Sequence, residues 1–188
     1  MNWRLSFAAL IGLAALAVLA CGPSGDPATR GGVIAPAVER PEDLAGLLDL
    51  PSLVGEVVFP WSEVAVRRPS GEITVGVLVA NTSDRRSRGM MYWSGLPPNS
   101  GMIFIWEETR ARSGGFWNQN VPIDLSVAWL DRDGTILEFS TLLAEDETSK
   151  RPRQPYFFVL EMPYGRFETM GIDIGDRVII PETLLPNQ

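Results

Sequence analysis

Three consecutive side-chain amides, Asn118, Gln119 and Asn120, follow Phe116 and Trp117, and a carboxylate, Asp124, lies four residues further on. Amides carry donors and acceptors together, so a cluster of them suits a hydroxyl-rich ligand. The adjacent indole offers a flat apolar face on which a sugar ring can stack or a core side chain can pack. The competing use of the same groups is structural, with amides capping loop backbone and the carboxylate holding a turn. Two more residues could join the cluster. Arg88 closes a basic run with Arg85 and Arg86, which reads as a solvated helix face. Arg88 itself could grip an anion or pair with Glu161 or Asp124. Asp124 and Glu161 could also form the two-carboxylate arrangement of glycoside hydrolysis, if the fold sets them at the right separation.

The missing residue types narrow this chemistry further. There is no His, which removes His-based triads, His metal sites and the usual general base near neutral pH. One Cys allows no internal disulfide and no thiolate metal cluster. Serine–lysine chemistry would depend on the sole lysine, Lys150, inside a polar stretch. The net charge of −7 argues against a nucleic-acid partner, which needs a basic surface. Asp131-Arg132-Asp133-Gly134 has too few oxygen ligands for a calcium loop and reads as a tight turn. Met90, Met91, Met102, Met162 and Met170 read as core fillers. No metal and no cofactor is implied. The leading expectation is non-catalytic binding of a small polar ligand or envelope glycan through Trp117, Asn118, Gln119, Asn120, Asp124, Arg88 and Glu161. A carboxylate-dependent hydrolase of envelope carbohydrate is the alternative, and a structural or interaction module of an envelope complex is a third.

The first 20 residues read as an address. A short positive start through Arg4 precedes an apolar run from Leu5 to Ala20, and Cys21 follows directly. A short apolar stretch ending in a small residue has the form of a secretory signal. The Cys placed after it resembles the lipidation site of a bacterial lipoprotein. Residues 1–20 are thus expected to be a signal peptide and Cys21 the lipid attachment point. The membrane then becomes a partner through the anchor, on the extracytoplasmic side of a bacterial cell envelope. Residues 21–53 are rich in Gly, Pro and Ala at first and read as a tether, with a short helix over Pro41–Leu48.

Residues 54–182 must position the candidate groups, and their pattern is β. Ile73, Val75, Val77 and Val79 alternate with Thr74, Gly76, Leu78 and Ala80, predicting a strand over Ile73–Ala80. Val64 and Val66 alternate likewise. Thr82-Ser83-Asp84 supplies N-cap candidates for a short helix through Arg88, stopped by Gly89. Met102–Trp106 and Leu125–Leu130 are unbroken apolar runs, as in strands buried on both faces. A hairpin over 131–134 leads into Thr135–Phe139, and Tyr156–Met162 and Arg177–Ile180 complete the set. The expected architecture is a mainly β, jelly-roll-like antiparallel sandwich or barrel with one or two short helices, ending in a tail at 183–188.

The order of several short motifs carries a resemblance. Arg88-Gly89-Met90-Met91-Tyr92, Leu96-Pro97 and Gly101-Met102-Ile103-Phe104 come first. Phe116-Trp117, Asn120, Ile123, Leu125 and Leu130-Asp131 follow. Leu160-Glu161, Gly165 and Gly171-Ile172-Asp173-Ile174-Gly175-Asp176 come last. Over roughly 54–181 this resembles the prokaryotic family known as domain of unknown function 192 (DUF192). The resemblance implies a compact, mainly β sandwich, commonly exported or lipid-anchored, and brings no established activity, substrate or cofactor. Asn118 and Gln119 stand where the family has Met and Lys, Asp124 where it has Pro, and Ser126 where it has Asp. Since a shift of two along a strand keeps the same face, Asp124 could serve the side the family's Asp serves, about 7 Å away.

Overall fold

The unbroken apolar runs become strands covered on both sides. The computed structural model describes residues 57–106 and 112–185. In these, β1 (Trp61–Arg68), β2 (Gly71–Ala80), β3 (Ser100–Phe104), β4 (Leu125–Leu130), β5 (Ile136–Leu142), β6 (Phe158–Pro163) and β7 (Arg177–Ile179) form one sheet in the order β5-β4-β6-β3-β2-β1-β7. The helices are α1 (Ser83–Arg88), α2 (Arg166–Thr169) and a 3-10 turn at Glu182–Leu184. The helix expected over Pro41–Leu48 lies outside the described residues, as do the signal, Cys21 and the tether.

The mainly β expectation holds, with a difference in topology. One pair, β2 with β3, is parallel, so the sheet is mixed; every other neighbouring pair is antiparallel. A parallel pair cannot be joined by a tight hairpin and needs a crossover. Residues 81–99 supply it, and α1 lies within them. The two faces of a single sheet replace the two sheets of a sandwich. The sheet curls without closing into a barrel: its outermost strands meet only at the isolated Thr135–Arg177 bridge. Ile136 N–H donates to Asp176 O at 2.9 Å, Val178 N–H to Gly134 O at 2.8 Å, and Arg177 Nε–H to the Asp133 carbonyl at 2.6 Å.

Alternation along each strand divides the core in two. Val64, Val66, Val75, Val77, Val79, Ile103, Leu130, Leu160 and Val178 converge on one face. Leu78, Met102, Phe104, Val127, Trp129 and Val159 point to the other, where Phe59, Met90, Trp93, Val121 and Tyr156 from the loops cover them. Covering both faces of the central strands explains why their sequences show no polar alternation.

Local signals read from sequence account for the helix that bears Arg88. Thr82 is its N-cap, with Oγ1 accepting from Arg85 N–H at 3.3 Å. Gly89 ends it at φ +49°, a conformation most L residues avoid. At the hairpin after β4, Asp131 Oδ1 accepts from the backbone N–H of Asp133 and of Thr135, each at 2.8 Å, so this carboxylate organises a turn.

Candidate functional site

The outer face of the sheet is roofed by two segments that come together over β3 and β6. One is α1 with the residues after it, and the other is the loop 112–121. Between them lies a cleft of about 800 Å³. The loop is laced to the segment 145–156 rather than left free. Arg112 and Tyr156 exchange backbone bonds of 2.7 and 3.0 Å, and Phe116 and Lys150 exchange bonds of 2.9 and 2.8 Å. Asn118 N–H donates to Asp146 O at 2.8 Å, and Glu145 N–H to Val121 O at 3.0 Å. Lys150, the one lysine, has its Nζ 3.9 Å from Asp146.

Aromatic rings make the wall. Phe116 meets Phe104 edge-on at 4.9 Å, Trp129 at 5.4 Å and Trp106 at 6.4 Å between centroids. Tyr156 adds edge contacts with Trp129 at 4.8 Å and Trp106 at 5.8 Å. These tilted contacts are the favoured arrangement for aromatic quadrupoles and hold the rings in fixed attitudes. Two guanidinium groups lie against Trp106, Arg112 at 4.8 Å and Arg86 at 5.8 Å from its centroid. Arg86 Nη1–H also donates to Ile105 O at 2.9 Å.

Two residues of charged type are buried on this cleft. Glu161, on β6, is only 3% exposed and sits opposite Met102 of β3 and Val127 of β4. With apolar neighbours on both sides, burial pushes its carboxyl up from 4.5 to about 8. No hydrogen bond or ion pair reaches the carboxyl among the described residues. Arg88, at the end of α1, is 9% exposed and places its guanidinium 4.7 Å from the Tyr92 ring centroid. The expected ion pair of Arg88 with Glu161 or Asp124 is not formed, and the expected solvated face is wrong for this arginine. Arg85 does turn away from the cleft, with Nε–H donating to Val58 O at 2.8 Å and Nη1–H to Asn81 Oδ1 at 2.7 Å.

The amide cluster divides on inspection. Trp117, Asn118 and Gln119 line the cleft together with Arg88 and Glu161, whereas Asn120 and Asp124 do not. Trp117 is half exposed at the mouth. Asn118 is buried, and its Nδ2 donates to Ile123 O at 3.0 Å and Leu142 O at 3.1 Å, so one amide proton holds the segment before β4 and the other the end of β5. Gln119 Nε2 donates to Glu147 at 3.3 Å on the surface. Asn120 takes φ +58°, which Asn tolerates better than most residues, and its carbonyl accepts from Tyr92 N–H at 2.7 Å. Asp124 Oδ1 accepts from Ala144 N–H at 2.7 Å and holds a turn. Ser126, at the family's Asp position, accepts through Oγ from Gly165 N–H at 3.1 Å ahead of α2. With Asp124 outside the cleft, the Asp124–Glu161 acid–base pair is not assembled.

Arg86, Arg112, Phe104, Phe116, Trp106 and Tyr156 also line the cleft, and of these the sequence did not point to Arg112, Phe104 or Tyr156. Arg86 was visible within the basic run, and Trp106 lies at the end of an apolar run that reads as core. Nothing local in the sequence shows that 112 and 156 pair.

Fold and cleft together define a mainly β protein with a curled mixed sheet and an aromatic, arginine-bearing cleft on its outer face. The chain belongs to the DUF192 family, described as "Uncharacterized ACR", whose profile matches residues 65–180. It is similar in structure to a protein of Sinorhizobium meliloti described as a candidate transcription regulator. That likeness has 28% identity and a TM-score of 0.61, covering 66% of this chain and 96% of the other. It is also similar to a protein of unknown function from Novosphingobium aromaticivorans, with 25% identity and a TM-score of 0.60 over 83% of this chain and all of that one. Comparison with curated proteins gives no match.

Proposed function

We propose that the protein is a lipid-anchored extracytoplasmic binding protein that holds a small polar ligand or envelope glycan in the cleft between α1 and the 112–121 loop, without catalysis. One observation carries the reading. Arg88 and Glu161 are both buried on the cleft, and neither has a hydrogen-bonding partner among the described residues. Burying such groups unpartnered costs stability, and the cost is offset when a ligand supplies the missing partner. The volume is in the range of small-molecule sites, and aromatic walls with a few convergent polar groups are the usual lining of such sites. The anchor rests on Cys21 after its apolar stretch. Among the described residues no helix is long and apolar enough to cross a membrane. The regulator description of the Sinorhizobium relative does not extend to DNA binding here, because a net charge of −7 disfavours phosphate contact.

Ligand-observed NMR against a panel of sugars, glycan fragments and polar metabolites tests the site. At least one class should bind, and Trp117→Ala should weaken it. Absence of binding across the panel sinks the reading. For the anchor, Cys21→Ser should abolish incorporation of labelled fatty acid; undiminished labelling would refute attachment at that residue.

A further inference from the structure

Arg86, Arg88 and Arg112 all line the described part of the cleft. The arginines are not equivalent. Arg86 and Arg112 are engaged at Trp106, and Arg86 also at the Ile105 carbonyl. Arg88 has only the face of Tyr92, and no acceptor meets its donors among the described residues. A planar guanidinium in that state fits a planar carboxylate, which can accept two parallel hydrogen bonds from it.

Resting on the cleft as the binding site, we infer that its ligand is a small ring compound carrying a carboxylate, the carboxylate held by Arg88 and Glu161 and the ring laid against Phe116 and Trp117. Glu161 makes the choice of anion. As a neutral acid its hydroxyl donates to one oxygen of the ligand, and it does not repel a single negative charge. A phosphate dianion would require more donors than one arginine and one hydroxyl offer. The groups around Glu161 agree with a neutral state. Met102 of β3 and Val127 of β4 are apolar. The other titratable groups lining the described part of the cleft are Arg88 of α1, Arg86, Arg112 and Tyr156, whose hydroxyl is pushed up to about 12 by burial and stays protonated. Sugar acids and aromatic acids share the recognised chemistry, and their rings differ.

The test is calorimetric titration of the full chain with glucuronate, benzoate and glucose, between pH 6 and pH 9. Glucuronate or benzoate should bind about tenfold or more tightly than glucose, and the tighter of the two identifies the ring. Affinity should fall about tenfold for each pH step above 8, as Glu161 ionises, and Glu161→Gln, which keeps a donor, should flatten that fall. Arg88→Gln should cost about tenfold in carboxylate binding. The pH series on the unaltered protein carries the same information should either variant fail to fold. Glucose binding as well as glucuronate, with no pH dependence, would overturn the carboxylate inference while leaving the cleft as a site. Failure of all three probes together with the wider panel would remove both.

Discussion

Gly101 lies directly against the backbone of Glu161: a Cβ at position 101 would fall inside the van der Waals envelope of the Glu161 carbonyl oxygen, and 3.0 Å from Met162 Cγ. The absence of a side chain on β3 thus lets the β6 backbone approach at the residue whose carboxyl lines the cleft. The contact links a backbone requirement in one strand to a functional group in the next.

Gly101→Ala should therefore cost stability, about 3 kcal/mol on the scale of overpacked cores, and should displace Glu161. Urea unfolding reads the first effect. A variant as stable as the parent would show that β3 and β6 can separate freely.

The Glu161 carboxyl makes stability depend on pH with a definite sign. Its folded value, about 8, is above the ordinary 4.5, so the folded protein binds the proton more tightly than the unfolded chain does. The contribution is fully present below about pH 4.5 and is lost as pH rises to about 8, on the order of 5 kcal/mol in all. Relative to Glu161→Gln, the parent should weaken steadily from about pH 5 to pH 8 and then level off. Denaturant titrations of the two proteins across that window check it, and a constant difference would mean that water reaches the carboxyl.

Asn118 is expected to act on folding before it acts on ligands. Asn118→Ala removes donors from the buried carbonyls of Ile123 and Leu142 and should cost about 2–3 kcal/mol. Gln119→Ala, which loses one exposed contact to Glu147, should cost about 0.5 kcal/mol or less. Equal effects in chemical denaturation would refute the division of labour between these neighbouring amides.

The sequence was legible where the cause of structure is local. Thr82 and Gly89 bracket α1 at the expected places, and Asp131 with Gly134 makes the expected turn. Leu125–Leu130 is β4 to the residue. Helix α2 was missed, since four residues leave no periodicity to read. The parallel pairing of β2 with β3 was missed because pairing partners are chosen by the whole sheet. For the site, the aromatic and amide segment was located correctly and its contents were partly misassigned. Asn118 and Asp124 have the same functional groups whether they bind a ligand or a carbonyl, and only the folded chain shows which partners reach them first. Arg88 and Glu161 came forward through the family resemblance, and their shared cleft depends on contacts more than 70 positions apart along the chain.

The junction of Thr135 with Arg177 has a further consequence, for self-association. The outer strands of an open sheet present unpaired N–H and C=O groups that can template pairing with another molecule. Here β5 and β7 spend part of that capacity on each other at the Thr135–Arg177 end, and β7 is only three residues long. At that end the sheet meets its own margin and leaves a neighbouring copy less ladder to extend.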